Sequence, residues 1–330
     1  MKEIILKRID VFTTNPFCGN PAGIVTNADG MSTDSMQALA AEMKMNLIEM
    51  AYVSECSGKS DFSVRFFTPD KELEISGHVM LAACYALIEE GRIKLSEGMT
   101  RIPFETLVGT IPLDVYFRTD YESGTDGNEN KSGLRLDSGQ GRGGILEKIM
   151  ISQPRYSFTP CDIPVEDIAE VLGIDAAEIK STGLPFVRAS NEIDWLIIPI
   201  RKKETIATMR PDLIKLGMLN RKYNTYSNQI FSLDTFDSSC ITYSRNFSPA
   251  MGLWEDPASA SGSAGLGAYL RQFDITGSDS MVMQQGNETD SLARILVEVG
   301  GKAGDISIRV GGLAVKSIER KINPASMELV

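Results

Sequence analysis

Histidine is almost missing from this chain: His78 stands alone among 330 residues. A multi-histidine metal centre is therefore excluded, and a Ser-His-Asp arrangement is open only if His78 serves. Cysteine is sparse as well. Cys18, Cys56, Cys84, Cys161 and Cys240 are odd in number, far apart and never spaced C-x-x-C. That pattern excludes a disulfide framework and a zinc ribbon; free thiols in a reducing cytoplasm are the expectation. No run of 18 apolar residues occurs, so no membrane-spanning helix is expected. The opening MKEIILKRIDVFTT alternates like a strand and lacks the apolar stretch and cleavage site of a secretory signal. Positive charge is in deficit, with 33 Lys and Arg against 44 Asp and Glu, a net charge of −11. Nucleic-acid phosphates and anionic membranes would be repelled, so neither is expected as a partner. The glycine-rich SGQGRGGI lacks the G-x-x-x-x-G-K-[ST] pattern, and no strand-G-x-G-x-x-G-helix unit is present. A nucleotide or nicotinamide enzyme is thus not expected on motif grounds, and neither is a cofactor or a metal.

What is there is an ordinary globular composition, 42% hydrophobic and 23% charged, in a chain long enough for two domains. Strand and helix patterns alternate. Ile4 to Phe12 reads as a strand, and Asn15-Pro16 with Gly19-Asn20-Pro21 as a turn-rich loop. Ser32 to Ser35 caps a helix carrying Met36, Leu39, Ala40 and Met43 on one face. HVMLAACYALIEEG is apolar around most of its circumference, which predicts a central buried helix ending at Gly91. From Thr119 to Gly144 the chain turns polar and glycine-rich, a loop excursion with one strand-like patch at Leu134 to Leu136.

An internal echo sets the architecture. Arg65-Phe66-Phe67-Thr68-Pro69 matches Arg245-Asn246-Phe247-Ser248-Pro249, and each leads through a short loop to a small-residue helix start, SGHVMLAACYAL or SASGSAGLGAYL. Seven residues past each proline stands a polar residue, Ser76 or Asp256. The echo predicts an α/β (α+β) fold of two pseudo-symmetric domains, each wrapped around one central helix, with the active site in a cleft between them.

Four features of this pattern bear on chemistry. The helix starts at Gly77 and at Ser259 to Ala264 expose unpaired N–H groups beside small side chains, which suits a small anion such as a carboxylate; tight helix packing is the plainer use of small residues. Asp256 either caps the second helix or presents a carboxylate to substrate. His78 either fills a first-turn position or carries a proton. The fourth feature is Glu49, within the apolar stretch NLIEMAYV. It shares one strand face with Leu47, Ala51 and Val53, while the other face is apolar too, so a strand here buries the carboxylate whichever way it turns. Either an arginine such as Arg65 neutralises it, or it is held without a partner, where a carboxyl takes up and returns protons readily.

Four blocks carry a resemblance to a known family: Asp10-Val11-Phe12 with Asn15 to Ala22; Asn46 to Val53; Arg65 to Pro69 with Gly77-His78; and Arg245 to Leu270, with its EDPASASGSAGLGAYL. They are similar to DVFT…NPF.GNP, NLSETAFV, R.FTP…CGHAT and EDPATGSAAGALGAYL of the phenazine-biosynthesis PhzF-like family, within the diaminopimelate-epimerase-like fold. The resemblance implies a first domain of residues 1–150 completed by a C-terminal strand at about 313–326, and a second of 151–312. It implies a cofactor-free isomerase, commonly a homodimer, that shifts a double bond of a small carboxylate by proton transfer. Glu49 falls at the position of the family's general acid/base. His78, Asp256 and Ser261 fall at its other catalytic positions, and Gly19, Asn20, Ser76, Gly77, Ala260 and Gly262 line the expected substrate site. The chain departs from the pattern at Ser76 for cysteine, at Val79-Met80 for Ala-Thr, and at Ser259-Ala260 for Thr-Gly. Racemases of this fold use one thiol in each half. A serine hydroxyl is too weak an acid for that work, so isomerisation is favoured over inversion of a stereocentre. An epimerase or racemase of an amino-acid-like substrate, and a non-catalytic binding protein that retains the cleft, stand as the alternatives.

Overall fold

The structure is a computed structural model that describes residues 3–43, 49–56, 58, 60–119, 133–136, 143–191, 193–286 and 292–323. The chain forms two compact units, Met1–Ile151 with Gly311–Val330, and Ser152–Val310. The first unit runs β1 (Ile4–Val11), β2 (Asn20–Val25), α1 (Thr33–Glu42), β3 (Glu49–Glu55), β4 (Phe62–Phe67), β5 (Glu72–Leu73), α2 (Gly77–Glu89), β6 (Gly98–Thr106), β7 (Gly109–Thr119), β8 (Leu134–Leu136) and β9 (Gly144–Gln153). The second runs β10 (Ser157–Pro160), α3 (Val165–Leu172), α4 (Ala177–Lys180), β11 (Val187–Ser190), β12 (Asp194–Pro199), α5 (Lys203–Thr208), α6 (Leu213–Lys222), β13 (Ser227–Ser232), β14 (Thr242–Ser248), β15 (Leu253–Asp256), α7 (Ala260–Gln272), β16 (Ser280–Gln285), β17 (Ala293–Lys302) and β18 (Asp305–Gly312). A last strand, β19 (Ala314–Ile322), returns to the first unit and pairs with β1. Apart from β8, the polar stretch read as a loop at Thr119 to Gly144 lies largely outside the described residues.

The same pairing plan is built twice. In the first unit β1 and β2 are antiparallel, β2 and β3 parallel, and β3 and β4 antiparallel; β4 then carries β5 antiparallel and β6 parallel, and β6 turns back into β7. In the second unit β11 and β12 are antiparallel, β12 and β13 parallel, and β13 and β14 antiparallel; β14 carries β15 antiparallel and β16 parallel, and β16 turns back into β17. One 13-residue helix packs inside each sheet, α2 in the first and α7 in the second. Every residue of α2 from Val79 to Ile88 is buried, as an apolar circumference requires. The outer faces differ. In the first unit α1 lays Met36, Leu39 and Ala40 on Ile4, Val25, Met50, Tyr52 and Phe67. In the second, α3 to α6 cover the sheet through a core that includes Ile168, Leu172, Ile206, Leu216 and Ile230.

A repeated ion pair fixes the correspondence between units. The Arg65 guanidinium donates to both Glu72 carboxylate oxygens at 2.7 Å and lies over the Phe67 ring at 5.2 Å. Arg245 does the same to Glu255, at 2.7 and 2.8 Å, over Phe247 at 4.9 Å. The partners are 7 residues apart in the first unit and 10 in the second. The longer segment contains the 3-10 turn Pro249–Met251. This insertion corrects the spacing read from the sequence. Counting back from the helices, Ser76 corresponds to Ser259, the N-cap of α7, and Asp256 corresponds to Leu73.

Candidate active site

Glu49 is the first residue of β3, and its Cα partner across the parallel pairing is Ala22 of β2. Leu47 and Ile48, its expected neighbours within the strand, lie outside the described residues. The Tyr52 hydroxyl donates to the Met36 carbonyl of α1 at 2.6 Å, so Tyr52 and Met50 face outward. Alternation then turns Glu49, Ala51 and Val53 toward the central helix. The residue as a whole is half-buried, but its Oε2 is buried and has no hydrogen-bond partner among the described residues. Arg65, its candidate partner in the sequence, is committed to Glu72. A buried oxygen left in this state costs about 1–3 kcal/mol, a loss that folded proteins rarely retain without a use for it.

The neighbouring strand places the loop residues. Asp10 is fully buried and accepts the Phe17 N–H at 2.6 Å and the Arg8 Nε–H at 2.9 Å, which folds the segment after β1 back on itself. Gly19 closes that loop at φ +66°, where an added Cβ would come within 2.1 Å of the Val11 carbonyl. Asn20, buried, opens β2 two residues before the partner of Glu49. Gly19 and Asn20 are thereby brought to the same end of the sheet as Glu49.

At the start of α2, Ser76 is the N-cap but makes no side-chain cap bond. Its hydroxyl lies 3.4 Å from His78 Nδ1 instead. The first-turn N–H groups of Gly77, His78 and Val79 are left without a capping side chain, the condition for binding an anion there. The other ring nitrogen of His78, Nε2, is buried with no partner among the described residues.

The start of α7 is built differently. Ser259 caps it through a bond from the Gly262 N–H at 3.1 Å. Asp256 is therefore not the helix cap; its Oδ1 accepts the Ala258 N–H at 3.1 Å, while its carbonyl accepts the Gln285 amide at 2.8 Å. Ser261 is the second residue of α7, the place His78 holds in α2, and its carbonyl accepts the Tyr156 hydroxyl at 2.8 Å. Ala260 precedes it, and Gly262 follows in contact with Gln229. Sequence reasoning missed Gln229, Asn246 and Tyr156. The echo did hold one signal, since Asn246 stands where the first unit has Phe66.

Neither helix carries a cysteine at its cap or in its first turn. Cys84 lies inside α2, and burial holds its thiol far above the usual range; burial also raises Cys161 and Cys240. No helix among the described residues is long and apolar enough to cross a membrane.

The model of one family, described as phenazine biosynthesis-like protein, matches residues 9–320. The chain belongs to the phenazine biosynthesis-like family of isomerases. It is 30% identical to an uncharacterized isomerase of Clostridium acetobutylicum, over 96% of each chain. It is 27% identical to the uncharacterized isomerase YfhB of Bacillus subtilis, over 97% of this chain and 99% of that one. Among solved structures, it is similar to the phenazine biosynthesis protein of the PhzF family from Bacillus anthracis, with a TM-score of 0.80 and 26% identity over 98% of this chain and all of the other. The twofold pairing plan around α2 and α7 is thus the fold of the phenazine biosynthesis-like family, and the resemblance seen in four sequence blocks extends over nearly the whole chain.

Proposed function

We propose that this protein is a cofactor-independent isomerase that moves a proton, and with it a double bond, on a small metabolite bearing a carboxylate. Glu49 is the acid/base. The observation that carries this reading is its buried, unpartnered Oε2, while the arginine that the sequence offered as its partner is paired with Glu72 instead. The uncapped first turn of α2 receives the substrate carboxylate through N–H groups and the positive end of the helix dipole. With that charge neutralised, a C–H bond next to the unsaturated system is acidified. Glu49 takes the proton, the C–H electron pair becomes the new double bond, and the old double-bond pair receives a proton at its far carbon. His78, whose Nε2 is unpartnered, assists that return. Asp256 and Ser261 are the further residues that the family resemblance implies for this reaction. The substrate and product have the same formula, so no oxidant or co-reactant enters.

The experiment is solvent exchange. Small unsaturated and amino- or hydroxy-carboxylates are incubated with the protein in D2O and followed by NMR. An isomerase places one deuterium on a carbon that carried the double bond in the substrate. An epimerase labels the original stereocentre. A carboxylate that binds but is neither labelled nor converted would identify a binding protein and contradict the proposal.

A further inference from the structure

Helix α6 turns Leu216 and Leu219 into the core of the second unit. Its exposed residues are Ile214, Lys215, Met218, Arg221 and Lys222. Ile214 and Met218 are 69% and 61% exposed and stand at i and i+4, so they form one apolar stripe along the helix. By helical rotation Arg221 borders the stripe on one side, and Lys215 and Lys222 on the other. The 3-10 turn Pro249–Met251 packs beside this helix, where an added Cβ on Gly217 would lie 3.4 Å from the Pro249 Cβ. That turn presents another apolar side chain, Met251, at 57% exposure.

The charges around the stripe are of one sign. From Arg210 to Lys222 the segment carries Arg210, Lys215, Arg221 and Lys222, and its one carboxylate, Asp212, is used as the helix cap, accepting the Lys215 N–H at 3.0 Å. Arg210, Arg221 and Lys222 have no ion pair among the described residues, and Lys215 approaches Glu170 only at 3.7 Å, with both side chains more than half exposed. In a chain of net charge −11 this helix face is positive. The fold does not demand such a face. Helix α1 holds the same place in the duplicated plan, since it precedes β3 of the parallel pair β2–β3 as α6 precedes β13 of the parallel pair β12–β13. The exposed residues of α1 are Thr33, Asp34 and Glu42, with neither a large apolar side chain nor a cation among them.

We infer that the exposed face of α6 is a docking surface for an acidic segment of another protein. The segment lays apolar side chains at helical spacing on Ile214 and Met218 and directs carboxylates to Lys215, Arg221 and Lys222. Two or three turns match the length of α6, about 15 Å. A second copy of this chain does not fit through a twofold pairing of α6 with α6, because cations would then face cations at both ends of the stripe. The contact is small and rimmed by exposed charge, so binding is transient and weakens with salt.

The test uses a fluorescein-labelled 15-residue peptide with leucine at every third or fourth position and glutamate and alanine elsewhere, and a control in which lysine replaces glutamate. Fluorescence anisotropy with the full chain is expected to show saturable binding of the acidic peptide, at least tenfold tighter than the control and weakened by salt. The pair of changes Ile214→Gln and Met218→Gln is expected to lower that affinity about tenfold, through lost apolar contact. The pair Arg221→Gln and Lys222→Gln should lower it by a similar factor and flatten the salt dependence. All four positions are exposed, so both variants keep the wild-type circular dichroism spectrum. Absence of saturable binding, equal affinity for the two peptides, or affinities unchanged in both variants overturns the inference. Two further results overturn it in favour of another occupant. One is α6-dependent sedimentation with phosphatidylserine vesicles at a salt concentration where the acidic peptide does not bind, which would make the face a membrane contact. The other is a fall in oligomer mass by analytical ultracentrifugation on Ile214→Gln with Met218→Gln, which would make it a contact between copies.

Discussion

Glu49→Gln is expected to fold like the wild-type protein and to lose turnover by about a thousandfold, within the range that removal of a general acid/base costs. The two side chains have the same shape, and in this structure no described residue depends on Oε2 for a hydrogen bond. Glutamine therefore removes proton transfer without removing a contact. The loss should appear in kcat, with KM little changed, since substrate binding is assigned to the helix start and not to Glu49. Stability should be unchanged or slightly raised, because a buried group without a partner is a cost in the resting protein. Turnover at the wild-type rate by the folded variant would remove Glu49 from the mechanism. A large loss of stability would show that the carboxylate is a structural element.

The second large effect concerns the ion pair that holds β15. Arg245→Met is expected to cost about 3–5 kcal/mol, because it strands Glu255 in a partly buried setting after removal of its partner. The side chain is 4% exposed, and beyond Glu255 it donates to the carbonyls of Ile206 and Met209 at 3.1 and 3.2 Å, so three groups lose their donor together. Arg65→Met is expected to cost no more than about 1 kcal/mol, since that pair is about a quarter exposed on both sides and solvent screens it. Urea unfolding followed by circular dichroism measures both. The pair Arg245–Glu255 also sets the residue that follows, Asp256 at the end of β15. Loss of Arg245 should therefore lower activity in the fraction that still folds. The double variant Arg245→Met with Glu255→Met should regain part of the stability, because it leaves no unpaired charge. Equal costs for the two arginine variants would contradict this account of burial.

The sequence and the structure part company at identifiable places. The first central helix was legible because its apolar residues run around most of the circumference, as in a buried helix, and the second was legible through its echo of the first. The Ser32 cap of α1 and the Gly91 end of α2 were legible because each needs one residue type at one position. The duplicated strand plan was legible from the Arg-x-Phe blocks, whose arginines the structure shows in the same bidentate contact. Spacing from the prolines failed to align the helix starts, since a short 3-10 turn lengthens one loop and a count of residues does not register it. The polar strand Ser227 to Ser232 passed unnoticed because its side chains satisfy one another across two strands, a pairing that becomes visible only with register. Partner choice was equally hidden. Arg65 is opposite Tyr52, within reach of either carboxylate by sequence, and only the turn into β5 delivers Glu72 to it.

The most direct test of the central claim is a crystal structure of the protein with anthranilate bound. The account predicts the carboxylate within about 2.7–3.2 Å of first-turn N–H groups of α2, with Glu49 Oε2 aimed at a ring carbon at about 3–3.5 Å. A carboxylate bound away from Gly77 and His78, with Glu49 paired to a cation or turned to solvent, would contradict it.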